Sequence, residues 1–247
     1  MRLAVAQIRP IVGHVECNLD KHLMLIALAS RLEARIIVFP ELSLTGYEPS
    51  RAKEFERNPN DQCFEKLQHA CNHHCAVIGV GVPLQTSVRP RIATLLFQPY
   101  SGPFVYSKEH LHPDEEPYFT KGSNPSNLIH SDPPIALAIC FELSVSQHAL
   151  RAHESGATAY IASVAKTASG VANAGIRLSD IATEFSIPVA MANCLGVLDG
   201  AECRGRSSAW NRNGDLIAQL DEEHEGVLVM DTETCDVVTS SLTQDSQ

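Results

Sequence analysis

Three residues that directly follow short apolar runs could do chemistry together: Glu41 after Val38-Phe39-Pro40, Lys108 after Tyr106-Ser107, and Cys140 after Ala138-Ile139. A thiol needs a base to become the nucleophilic thiolate, and a carboxylate partly removed from water has a raised pKa suited to that task. An ammonium held nearby can stabilise the oxyanion of a tetrahedral intermediate. Each residue alone has a plainer reading, since Cys is among the most buried residue types and strand-end Glu and Lys are usually solvated. In open α/β sheets, however, sites form beyond the carboxyl ends of strands. Three different reactive groups at such ends therefore point to one shared site.

The elements that must position these groups follow from the hydrophobic pattern. Residues 3–8 and Ile36–Phe39 read as strands, with a helix between them whose apolar face carries Leu19, Leu23, Ile26 and Ala27 and for which Asn18 is a plausible cap. Phe64, Leu67 and Cys71 mark a second helix ahead of a strand at 76–82, and the runs 92–97 and 104–107 read as a hairpin. Residues 109–127 have no apolar period and read as a functional loop. Then come a strand at 135–139 that ends at Cys140, a helix near 144–154, a strand at 158–163, a helix near 171–186, a strand at 188–193 and strands near 206, 216 and 227. The pattern gives one mixed α/β domain over residues 1–232 and a polar tail over 233–247.

Composition narrows the functional classes. The 247-residue chain has 29 acidic and 19 basic residues for a net charge of -10, and no Lys/Arg run offsets that balance locally, so nucleic acid and anionic membranes are not expected partners. The N-terminal apolar run is broken by Gln7, which makes it too short for a signal core or a membrane span. The expected compartment is the cytoplasm, and the eight cysteines are read as free thiols.

The context of the three residues resembles the nitrilase, or carbon-nitrogen hydrolase, superfamily, whose members carry a Glu-Lys-Cys triad. The stretches that carry the resemblance are residues 38–47 (Val-Phe-Pro-Glu-Leu-Ser-Leu-Thr-Gly-Tyr), 106–111 (Tyr-Ser-Lys-Glu-His-Leu) and 137–143 (Leu-Ala-Ile-Cys-Phe-Glu-Leu). Further matches are Gly156-Ala157, Ala190-Met191-Ala192-Asn193 with Gly196, Gly205-Arg206-Ser207-Ser208, Asn213-Gly214 and Gly226-Val227-Leu228-Val229, so the likeness extends to about residue 232. It implies a four-layer α-β-β-α sandwich that pairs into a homodimer or larger assembly, and a reaction that requires no cofactor. The implied activity is hydrolysis of a non-peptide carbon-nitrogen bond, most readily that of a small linear amide. N-carbamoyl amine hydrolysis and a non-catalytic binding role are the alternatives.

Carried over residue by residue, the resemblance makes Cys140 the nucleophile that forms a thioester and Glu41 the proton shuttle. Lys108 and the backbone N–H of Phe141 hold the oxyanion. A second glutamate is supplied from Asp114-Glu115-Glu116-Pro117-Tyr118-Phe119, with Glu115 favoured over Glu116 by its spacing to Phe119 and Gly122. Tyr47, Glu142 and Lys166 join Phe141 as oxyanion or substrate-binding candidates. Members that act on ω-amides of small dicarboxylates often have Asp two residues and Arg four residues after the cysteine, where this chain has Glu142 and Ser144. Ser144 removes a cation that could pair a substrate carboxylate, and Lys166 or Arg177 could contact an anionic group instead. His110, His112 and His148 are alternative activators of the thiol, although His148 lies eight residues on, in the following helix. The run Cys71-Asn72-His73-His74-Cys75 looks like a metal cluster but lacks a second ligand pair, so no metal is expected.

Overall fold

The fold was taken from a computed structural model that describes residues 1–129 and 131–242. Its first half builds one sheet from β1 (Arg2–Gln7), β2 (Ile36–Val38), β3 (Val77–Leu84), β4 (Arg91–Phe97) and β5 (Phe104–Ser107), with α1 (Val15–Arg31), a short α2 (Ala52–Phe55) and α3 (Glu65–His74) between strands. The second half adds β6 (Leu128–Ile129), β7 (Ile135–Ile139), α4 (Ser146–Glu154), β8 (Tyr160–Val164), α5 (Ala168–Phe185) and β9 (Val189–Asn193). It finishes with β10 (Leu195–Leu198), β11 (Ala201–Arg204), β12 (Ser208–Trp210), β13 (Leu216–Gln219), β14 (Gly226–Asp231) and β15 (Val237–Ser241).

Strand order is β15-β14-β1-β2-β3-β4-β5 in one sheet and β13-β12-β9-β8-β7-β6 in the other, with β10-β11 as a separate hairpin. The layering follows from the period-two alternation of the strands. Leu3, Val5, Ile36 and Val38 face Ile135, Leu137, Ile139, Ile161 and Ala190 in a core between the sheets. Their neighbours Ala4, Ala6, Ile37 and Phe39 pack instead on Leu19, Leu25 and Ile26 of α1 and on Leu67 of α3. On the far side, Ala136, Ala138 and Ala162 pack against Ala149 of α4 and Leu178 of α5. Both faces of each sheet are covered, which gives four layers in the order helix, sheet, sheet, helix.

Some elements differ from the sequence reading. Asn18 is not a helix cap. It is fully buried within α1, where its amide bridges the Ile11 N–H, the Ile11 carbonyl and the Leu44 carbonyl at 2.7–2.9 Å, while His14 takes the cap position. Part of the expected polar tail is strand β15, which pairs antiparallel with β14 from Gly226↔Ser241 to Met230↔Val237, and residues 243–247 lie outside the described residues. The β10-β11 hairpin lies in the stretch after Asn193 where no strand is expected. No helix among the described residues is long and apolar enough to cross a membrane.

Candidate active site

Glu41 leaves β2 in a tight turn. Leu42 has φ 50°, the Ser43 and Thr45 N–H groups donate back to the Pro40 and Leu42 carbonyls at 3.1 Å, and Leu44 N–H bonds the Gly81 carbonyl of β3. A Cβ on Gly81 would sit 2.4 Å from both Leu42 N and the Pro40 oxygen, so β3 approaches this turn closely only because residue 81 is glycine. Beneath it, Ser43 Oγ lies 3.0 Å from the buried His22 ring, and Ser163 Oγ of β8 donates to the Phe39 carbonyl at 2.8 Å, tying the two sheets together at the site.

Lys108 follows β5, which runs antiparallel to β4 and therefore in the direction of β2 and β3. Its N–H bonds the Ile92 carbonyl and its own carbonyl accepts from Gly122 N–H, so the backbone is fixed on both sides. The fully buried ammonium donates to Glu41 Oε1 and to Glu115 Oε1, both at 2.7 Å. Glu115 is delivered by a single 3₁₀ turn at Pro113–Glu115. Its Oε1 also accepts from the Tyr47 hydroxyl at 3.0 Å and its Oε2 from the His112 N–H at 2.8 Å. Glu116, the rival in sequence, is exposed and pairs with Lys121 at 3.2 Å. The choice of Glu115 is thus the one that the geometry brings to Lys108.

Cys140 ends β7 in the left-handed region at φ 45°, so the chain turns sharply there into a 3₁₀ turn over Cys140–Ser144. N–H groups at the start of such a turn, Phe141's among them, have no acceptor within it. The turn is held from behind by Glu142. Its Oε2 accepts from the Ile139 N–H and the Tyr106 hydroxyl, both at 2.8 Å, and its Oε1 from the Glu109 N–H at 2.6 Å. With both oxygens taken by these donors behind the turn, Glu142 supports Cys140 and is not the substrate-binding residue that its place in the sequence suggests. Tyr106 and His148, which is bonded to the Tyr106 and Tyr160 hydroxyls at 2.9 Å, complete this support, a role that the sequence does not reveal. His148 thus faces away from the thiol, held neutral by burial that lowers its pKa to about 4.

The electrostatics follow from burial. Desolvation raises the Glu41 carboxyl above its ordinary range against the opposing pull of Lys108, and desolvation followed by the Glu41 charge raises the Cys140 thiol to about 11. Lys108 is raised, because the negative charges around it outweigh its own burial penalty. Among the described residues Glu41 Oε2 is buried and has no hydrogen-bond partner. A buried acceptor without a donor is costly, and Cys140, which interacts with the Glu41 side chain, can supply the proton.

Beside this cluster opens a cleft of about 850 Å³ lined by Tyr47, His112, Asp114, Tyr118, Lys166 and Thr167, among others. Phe141 packs edge-on against His112 at 5.3 Å. Tyr47 and Lys166 therefore lie at the cleft and Phe141 at its side, while Arg177 is turned toward the Leu143 carbonyl. The other cysteines do not form a centre with these groups: Cys71 is buried in α3, Cys75 is exposed at its left-handed C-cap, and Cys194 and Cys203 pack with Leu198. Among the described residues no group of three or more His, Cys, Asp or Glu side chains is arranged to hold a metal.

The chain is 26% identical over 246 residues to the glutamine-dependent NAD(+) synthetase of Aquifex aeolicus, an alignment covering 93% of this chain and 42% of the synthetase, so it spans less than half of that relative. It is 26% identical over 237 residues to a probable nitrilase of Schizosaccharomyces pombe, covering 92% of this chain and 86% of the nitrilase. Among solved structures, the amidase from Nesterenkonia sp. AN1 shares the fold at TM-score 0.84 with 24% identity, over 94% of this chain and 92% of that one. A cysteine-to-alanine variant of the same amidase in complex with butyramide gives TM-score 0.83 at 23% identity, covering 93% and 89%. The model of the carbon-nitrogen hydrolase family matches residues 2–237 and so runs through every segment that delivers Glu41, Lys108, Glu115 and Cys140. On that match the chain belongs to the carbon-nitrogen hydrolase family.

Proposed function

We propose that the protein hydrolyses the carbon-nitrogen bond of a small linear amide through an acyl thioester on Cys140. The observation that carries this reading is the buried Oε2 of Glu41, which has no hydrogen-bond partner among the described residues and is open to the Cys140 proton, while the other oxygen is fixed by Lys108 at 2.7 Å. Glu41 takes the Cys140 proton as the sulfur attacks the amide carbon, then gives it to the leaving nitrogen, which departs as ammonia. The Lys108 ammonium and the Phe141 N–H receive the oxyanion. Water, deprotonated by Glu41, attacks the thioester, and the acid is released as the thiol recovers its proton. Glu115 holds Lys108 in place and, through Tyr47, ties it to the cleft wall. Tyr47 contacts the substrate.

The test is ammonia release from a panel of amides by the purified protein with Cys140→Ala as the blank. Butyramide belongs in the panel because the Nesterenkonia amidase has been seen in complex with it, and glutamine because the synthetase relative is glutamine-dependent. Release from at least one amide by the wild type alone supports the reading, and equal release by the variant contradicts it. We also propose a homodimer, as the family likeness implies, which sedimentation velocity tests directly.

A further inference from the structure

Two buried carboxylates, Glu41 and Glu115, share one buried ammonium, Lys108. If Glu41 is to act as a base it must be ionised, which leaves the cluster with one excess negative charge. Transfer of the Cys140 proton to Glu41 moves that charge to sulfur without removing it. An uncompensated charge in a site withdrawn from water is expensive, so a second cation within reach is the natural complement.

Lys166 fits that requirement. It lies two residues past the end of β8, and β8 runs parallel to β7 with Ile139 opposite Ser163, so the chain carries it just beyond the level of Cys140. Its backbone is clamped by the fully buried Asn193: the Lys166 N–H donates to Asn193 Oδ1 at 2.8 Å, and Asn193 Nδ2 donates to the Lys166 carbonyl at 3.1 Å. The stem crosses the first turn of α5 where residue 170 is glycine, and a Cβ there would stand 3.2 Å from the Lys166 Cβ. The side chain lines the cleft and forms no ion pair with a carboxylate among the described residues. Its charge, like that of Lys108, acts on the Cys140 thiol in the direction of the thiolate.

We propose that Lys166 is a positioning residue of the reaction, whose ammonium balances the excess charge of the Glu41–Lys108–Glu115 cluster and holds the Cys140 thiolate. The proposal deepens the amidase reading in its account of the nucleophile and does not depend on which amide is the substrate. The charged groups that act on the thiol are Glu41, Lys108, Glu115 and Lys166, while Tyr47, Cys194 and Cys203 feel its charge in turn and His112 lies against Phe141. Asp114 and Asp199 line the cleft at its exposed rim.

The experiment follows alkylation of Cys140 against pH by intact mass, in the wild type, Lys166→Met and Lys166→Arg, using neutral iodoacetamide and anionic iodoacetate. Lys166→Met should slow the neutral reagent about tenfold at pH 7 and move the profile upward by about one pH unit, and Lys166→Arg should restore both, with melting temperatures unchanged. An unaltered profile in Lys166→Met overturns the proposal. So does a loss confined to iodoacetate, which would make Lys166 a reader of ligand charge. Because alkylation needs no turnover, a chain that hydrolyses none of the amides yet shows the shift retains this inference and loses the substrate reading.

Discussion

Replacing Glu41 with Gln sets two effects of the structure against each other. Gln keeps an oxygen for the Lys108 ammonium but cannot take a proton from Cys140. With the thiol raised to about 11, about one molecule in 10⁴ is ionised at pH 7 without help. Loss of a positioned base costs about 10²–10⁴-fold. Against this, the Glu41 charge is itself one of the causes that raise the thiol, so its removal lowers the thiol pKa and returns about tenfold for each unit. The base wins if the relief is about one unit, which leaves a net loss of about 10–10³-fold at pH 7. Intact-mass kinetics of Cys140 with a neutral electrophile measure this directly. The variant rate should climb about tenfold per pH unit toward the thiol midpoint, while the wild type changes less steeply. Parallel profiles of equal height would refute Glu41 as the base.

Glu115→Gln should lower turnover yet leave Cys140 alkylation within a few-fold of wild type, since Glu115 bonds Lys108 and Tyr47 rather than the thiol; comparison of kcat with the alkylation rate checks it. Glu142→Gln puts an NH₂ group against one of three donors and should cost about 1–3 kcal/mol in urea unfolding at pH 8. Because burial raises the Glu142 carboxyl to about 7, the protonated form's contribution is fully present below its unfolded value of 4.5 and lost as pH rises through 7. The penalty of the substitution should therefore shrink by about 3 kcal/mol from pH 4.5 to above 7, and a pH-independent penalty would contradict this. Dialysis against a strong chelator should leave activity and melting temperature unchanged, whereas stoichiometric zinc by elemental analysis would overturn the reading of Cys71 and Cys75 as free thiols.

What could be read from the sequence was what short range decides. Glu41, Lys108 and Cys140 each follow a short apolar run, and burial on both faces of the runs before Glu41 and Cys140 makes those strands visible without any partner. Glu115 could be favoured over Glu116 only through the family likeness, by its spacing to Phe119 and Gly122, and the 3₁₀ turn that buries it leaves Glu116 exposed. Glu142 was misplaced because its role depends on Tyr106, 36 residues away, and on the N–H of Glu109, contacts that no local pattern encodes. Asn18 fails for a related reason: the side chain that suits a cap also suits a buried bridge to Ile11 and Leu44. Strand β15 alternates weakly and lies at the edge of its sheet, so its sequence reads as a polar tail until β14 is there to pair with it.

The acyl thioester on Cys140 is the central intermediate of the proposed reaction. Rapid mixing of the enzyme with a hydrolysed amide, acid quench within the first turnover and intact mass should show the acyl group added to the chain at Cys140 and cleared as the acid appears. No such adduct should form in Cys140→Ala. Steady hydrolysis with no acyl adduct at any quench time, or an adduct mapped to another residue, would contradict it.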